Sequence, residues 1–348
     1  MKRIFFTFIF ILGLTSCKKE SYNHHHEGVT ISERVQMKEQ NGFLELKSGK
    51  FTYKIPSEKL PFKRVVLLNS SLVGYFTELN LEQNIVGVSS PEYIYSETIL
   101  KLIGQNKIQN IGNEQKYDVE KIIALKPDAI FTNYIASFEN TYDLLKKNGI
   151  ELIFLDEYLE QKPLDKSRYL LLFGKLFGVE TKANERFSEI KTRYDSLISV
   201  AKHLTPQPIV LTNEMYGNQW FLSGGKTFTA AYIADAGGRY ILKDNLEEKA
   251  VPMSFEEVYA KAKEATVWVN AGNYQSKKEM LMMQPHYAQL KVFQQGKIFT
   301  TNARQLGMAN DFFESGAVRA DLVLKDYIKA LHPQWLPNDT LRYMKELK

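Results

Sequence analysis

The chain has 348 residues, 44% hydrophobic and 24% charged, with 45 Lys and Arg against 40 Asp and Glu and a formal net charge of +5. That balance places it among ordinary globular proteins and gives no electrostatic case for nucleic acid as a partner. A lone cysteine excludes an intramolecular disulfide, and a body of this length exceeds one comfortable core, so two domains are expected.

The opening stretch MKRIFFTFIFILGLTSC carries a basic pair (Lys2, Arg3), an apolar run from Ile4 to Leu14 and small residues before Cys17. The run is about half of the roughly 20 residues a spanning helix needs, so residues 1–17 are expected to be an export signal. Leu14-Thr15-Ser16-Cys17 resembles the lipobox of bacterial lipoproteins, which implies cleavage before Cys17 and lipid on its thiol. Residues 18–42 are polar and lack an apolar period, so they read as a flexible tether. Within them, His24, His25 and His26 read as solvated chain or a loose metal trap rather than a dedicated site. The other histidines, His203, His286 and His332, build no zinc-ligand spacing, and no metal site is expected.

GFLELKSGKFTYKI alternates around Ser48-Gly49 and predicts a hairpin leading into a first α/β lobe over residues 43–163. After Pro61, apolar strands are predicted at 64–68, 84–88, 129–133 and 151–155, with helices at 72–79, 96–103, 118–125 and 138–147. Strands separated by single helices pair in parallel, and ligands collect at their carboxyl ends. Over 164–203 the strands stop. Phe187, Ile190, Tyr194, Leu197 and Ala201 recur at helical spacing after a break at Gly178, which predicts a long amphipathic linking helix. A second lobe follows over 204–348, with strands at 208–213, 266–270 and 297–301, helices at 227–236 and 254–263, and a closing helix near 314–330. The fold class is therefore two α/β lobes joined by one long helix, with a ligand cleft between them.

No catalytic pattern survives inspection. SGGKT at 223–227 hints at a phosphate loop, but Trp220 stands where that motif needs glycine. There is no G-x-S-x-G elbow and no H-E-x-x-H pair. An enzyme is not expected.

RVVLLNSS, ELNLEQNIVGVSS, IGNEQKYDVEKIIALKPDAIFT and LKKNGIELIFLD resemble, in order and spacing, the first lobe of the helical-backbone (class III) substrate-binding proteins that serve ATP-driven importers of iron siderophores, haem and cobalamin. WFLSGGKTFTAAYIADAGG, VPMSFEEVYAKAKEATVWVN and GKIFTTNAR resemble the second lobe. The likeness runs from about Lys63 to the C-terminus. It implies a monomeric lipoprotein on the periplasmic side of a bacterial membrane, with surface exposure left open, and partners in an ABC importer permease and its ATPase. No cofactor of its own is implied; the carried ligand would be a ferric chelate, haem or cobalamin. A bare-metal receptor and a chelatase-like enzyme on a related scaffold are weaker readings, because the cleft segments lack histidine.

Two sets of residues follow from the resemblance. One glutamate near the tip of each lobe pairs with permease arginines in this family, and Glu120 in DVEKI and Glu256 in SFEEV match those positions. Each falls in a predicted first helical turn, where the dipole favours a carboxylate; the bland reading is that both are simply good first-turn residues. The ligand cleft draws on loops after the strands. Its candidates are Asn69, Ser70, Ser71, Tyr93, Tyr95, Asn133 and Tyr134 from the first lobe. The second lobe supplies Tyr216, Trp220, Met253, Asn273, Tyr274, Arg304, Phe312 and Phe313. Aromatic faces suit a large chelate, and Arg304 is the expected partner of an anionic one.

Overall fold

Short runs such as IVGV (Ile85–Val88) and AIFT (Ala129–Thr132) are apolar at every position, and every one of those residues is buried. A strand buried on both faces must lie between two layers of helices, which is the environment of a parallel sheet. The computed structural model describes residues 28–113 and 115–348 and has that arrangement twice. In the first lobe the strands lie side by side in the order Glu151–Phe154, Ala129–Thr132, Val65–Leu67, Ile85–Val88, Gln109–Asn110, all parallel. In the second the order is Arg239–Tyr240, Ile209–Thr212, Val267–Val269, Lys297–Thr300, all parallel, closed by an antiparallel Lys345–Glu346. The α/β class read from the sequence is thus the observed one. The two-residue edge strands Gln109–Asn110, Arg239–Tyr240 and Lys345–Glu346 were not legible, being too short and polar to show a period.

The leading segment needs correction. The described part of the expected flexible tether, residues 28–42, and the single hairpin after it form one four-stranded antiparallel sheet: Val29–Thr30, Val35–Gln40, Phe43–Ser48 and Phe51–Pro56. The signal lay in VQMKEQ-NG-FLELKS. Val35 and Met37 are buried on alternate positions, and Asn41 and Gly42 take φ of 50° and 80°, the left-handed pair of a tight hairpin turn. The sheet joins the core cluster containing Leu170 and Leu176 of the linking region, and Lys175 Nζ reaches Glu39 at 2.6 Å. Residues 1–27, with Cys17 and His24 to His26, lie outside the described residues.

The linking region is two helices, Pro163–Phe177 and Glu180–Ala201, with Gly178 as a left-handed cap between them. Ile190, Tyr194 and Ala201 are buried as their spacing requires. The closing helix is likewise split, into Ser315–Val318 and Ala320–Leu331, where the Arg319 guanidinium turns back onto Asp321 at 2.8 and 2.9 Å. That short helix joins the lobes: Ser167 Oγ donates to the Val318 carbonyl at 2.6 Å, and Val318 is fully buried in the first lobe's core cluster. Among the described residues no helix is long and apolar enough to cross a membrane.

Candidate functional site

Parallel strands aim their carboxyl ends at one edge of a sheet, so the loops leaving both sheets meet across a cleft. There the structure holds a cavity of about 1050 Å³, at the upper end of the range usual for small-molecule sites. The first lobe contributes Tyr93, from the turn after Ile85–Val88, and Tyr158, Leu159 and Glu160, from the turn after Glu151–Phe154. The second lobe contributes the loops after its parallel strands and an antiparallel three-stranded sheet (Met215–Tyr216, Gln219–Ser223, Ala250–Met253) that presents Tyr216 and Phe221. A hairpin, Gln305–Leu306 with Ala309–Asn310, and the following Phe312 and Phe313 close one side.

Of the residues chosen from sequence, Tyr93, Tyr216, Asn273, Phe312 and Phe313 lie on the cavity wall. The others lie elsewhere, each for a visible reason. Asn69 accepts from the Ser71 backbone N–H to start a turn at Ser70, and Ser71 Oγ donates to Glu157 at 2.5 Å. Asn133 and Tyr134 sit toward the leading sheet, with the Tyr134 ring 5.2 Å from Phe51 and its hydroxyl on Glu139. Trp220 is fully buried, its ring 5.1 Å from Trp268 and 5.4 Å from Tyr287, with Nε1 donating to the Thr212 carbonyl. Met253 pairs with Trp220 in the sheet and packs on the same core. Tyr274 is buried behind Asn302, whose side chain donates to its carbonyl at 3.1 Å.

Arg304 is the most consequential displacement. Its guanidinium donates to Asp311 at 2.6 Å and lies over the Tyr95 ring at 5.0 Å, so its charge is matched within the protein rather than offered to the cavity. Beside it, buried Glu314 accepts from the Tyr95 backbone N–H at 2.7 Å, across the boundary between lobes. Burial pushes the Glu314 carboxyl from an ordinary 4.5 up to about 7, partly opposed by that hydrogen bond. A carboxyl whose folded value exceeds its unfolded one binds more protons when folded, so stability falls as pH rises between those values. We expect Glu314 to remove up to about 3 kcal/mol between pH 4.5 and 7. Denaturation curves across that window should flatten in Glu314→Gln relative to the parent, and parallel curves would contradict the assignment.

The residues that sequence reasoning missed had a signal. The second-lobe strands end in LTN, WVN and TTN, and Asn213, Asn270 and Asn302 all reach the cavity. Asn213 and Asn270 have φ of 58° and 54°, which asparagine tolerates better than most residues and which turns the chain into the cleft. Glu214, Tyr158, Glu160 and Glu248 had no comparable marker. Glu160 is buried, accepts from Ser32 Oγ and Tyr169 Oη at 2.6 and 2.7 Å, and is pushed upward by desolvation against those bonds. Burial also pushes Glu214 up, with a hydrogen bond from Tyr274 opposing it.

Glu120 and Glu256 are exposed in the first turns of Val119–Leu125 and Phe255–Lys261. Each helix runs back to a parallel strand, so its N-terminus lies at the strands' carboxyl edge.

The model of the periplasmic binding protein family matches residues 65–305. The chain belongs to that family. Its members bind solutes and are not enzymes, and the lipoprotein naming of relatives is consistent with the cell envelope. An uncharacterized lipoprotein of Methanocaldococcus jannaschii is 23% identical over 284 residues, 79% of this chain and 66% of that relative. Among solved structures, a siderophore-binding protein, BauB, bound to two acinetobactin molecules and ferric iron has a TM-score of 0.62 at 19% identity, covering 83% of this chain and 99% of that one. A periplasmic haem-binding protein of Pseudomonas aeruginosa has a TM-score of 0.59 at 17% identity, covering 82% and 98%. Both likenesses concern the fold of this binding protein.

Proposed function

We propose that this binding protein captures an iron complex, a siderophore or haem, and delivers it to an ABC importer's permease and ATPase, tethered to the membrane by lipid on Cys17. The cavity carries the reading: its volume suits a metal chelate, and Tyr93, Tyr158, Tyr216, Phe221 and Phe312 offer apolar faces to bury one. Siderophore-binding and haem-binding proteins of the same fold support it. Cobalamin would fit the same volume and is the second reading. Glu120 and Glu256 are the docking carboxylates in this scheme. The packed linking helices restrict hinge motion, so closure is small and release depends on the permease separating the lobes.

Intrinsic fluorescence of the purified protein, titrated with ferric chelates, haemin, cyanocobalamin, Zn²⁺ and Mn²⁺, tests the reading. Saturable quenching by one of the chelates or haemin, weakened in Phe221→Ala, is expected. Binding of bare ions alone would end it.

A further inference from the structure

The cavity's charges are unlike those of a site for polyanions. Among the described residues lining it, Lys249 is the one cation, against Glu160, Glu214 and Glu248. Two further cations beside wall residues are already matched. Arg304 is held by Asp311, and Lys166, 4.4 Å above the Phe228 ring, has Glu157 and Glu160 as its charged neighbours. Asp311 and Glu314 stand behind the hairpin and add no positive charge. Glu214 packs against Gly272 on the wall, where a Cβ would lie 2.2 Å from its Oε2, and its carboxylate has a hydrogen bond from Tyr274. No side chain larger than glycine fits there without displacing the carboxylate.

We infer, on the reading that this cavity is the chelate site, that it selects a metal chelate of zero or positive net charge and rejects polyanionic chelates. Glu214 and Glu248 meet the ligand's positive group. A polyanion of equal size would bring like charges within several ångströms of these carboxylates in a partly dry site. There each uncompensated pair weakens binding on the order of tenfold or more.

The test compares three ferric probes of different charge on the full purified protein: ferrioxamine B (a cation), haemin (two propionates) and ferric enterobactin (a trianion). Ferrioxamine B should bind at least about tenfold more tightly than either anion, and its affinity should fall as salt rises. In a Glu214→Gln/Glu248→Gln variant, with folding checked by thermal melting, the cation's advantage should shrink about tenfold. Because the comparison is a ratio within one protein, a general loss of stability would not imitate that change. Tighter binding of an anion, or an unchanged ratio in the variant, overturns the inference while leaving the receptor reading intact. Silence of all three chelates, with cyanocobalamin also unbound, removes both.

Discussion

Trp220→Ala should lower the unfolding free energy by about 3–5 kcal/mol, a large share of what a protein normally has to spare. The indole is fully buried against Trp268 and Tyr287, at the centre of the second lobe's core. Its removal leaves a cavity that rigid neighbours cannot fill, and it leaves the Thr212 carbonyl without its indole donor. The loss should appear as a lower midpoint in urea or guanidinium at unchanged slope. Phe221, next in the strand, points the opposite way and is partly exposed on the cavity. Phe221→Ala should therefore cost less stability and more ligand affinity. A Trp220→Ala protein within about 1 kcal/mol of the parent would show that the residue is not core.

Charge reversal of both exposed glutamates, Glu120→Lys with Glu256→Lys, should abolish chelate uptake by cells and stimulation of the importer's ATPase while leaving chelate affinity unchanged. The structure distinguishes these two from the acids beside them. Asp118 caps its helix by accepting from the Lys121 N–H at 3.0 Å, and Glu257 closes a capping box by accepting from the Ser254 N–H at 2.8 Å. Those hydrogen bonds hold Asp118 and Glu257 below the usual carboxylate range. Glu120 and Glu256 have no hydrogen bond or ion pair among the described residues, and they project to solvent, free to meet cations on a partner. Exposed charges of this kind direct association more than they stabilise a fold. Reversal should cost the fold no more than about 1 kcal/mol per site through the helix dipole. Undiminished uptake by the double variant would remove both residues from docking, and a matching loss of ligand affinity would place their effect in the cleft instead.

The strands were readable because a doubly buried strand must be apolar throughout, and IVGV, AIFT and VWV advertise that in a few residues. The site was less readable because its residues are set by which face of a strand or turn looks inward. Trp220 and Phe221 are adjacent, equally aromatic and on opposite faces. Arg304 looks like a free cation until the turn at Gly307 folds Asp311 back onto it. Glu160 and Ser32 are bonded across 128 positions of sequence, a pairing no local pattern contains. By contrast, the capping positions of Asp118 and Ser254 follow from local spacing alone, so the first-turn placement of Glu120 and Glu256 was accessible.

Val318 has a further consequence. It is the second lobe's residue that completes the first lobe's core, beside helices laid down much earlier in the chain. A chain that ended after the linking helices would lack that contact and should leave apolar surface of the first lobe uncovered, so the first lobe by itself is not expected to be a finished half-protein.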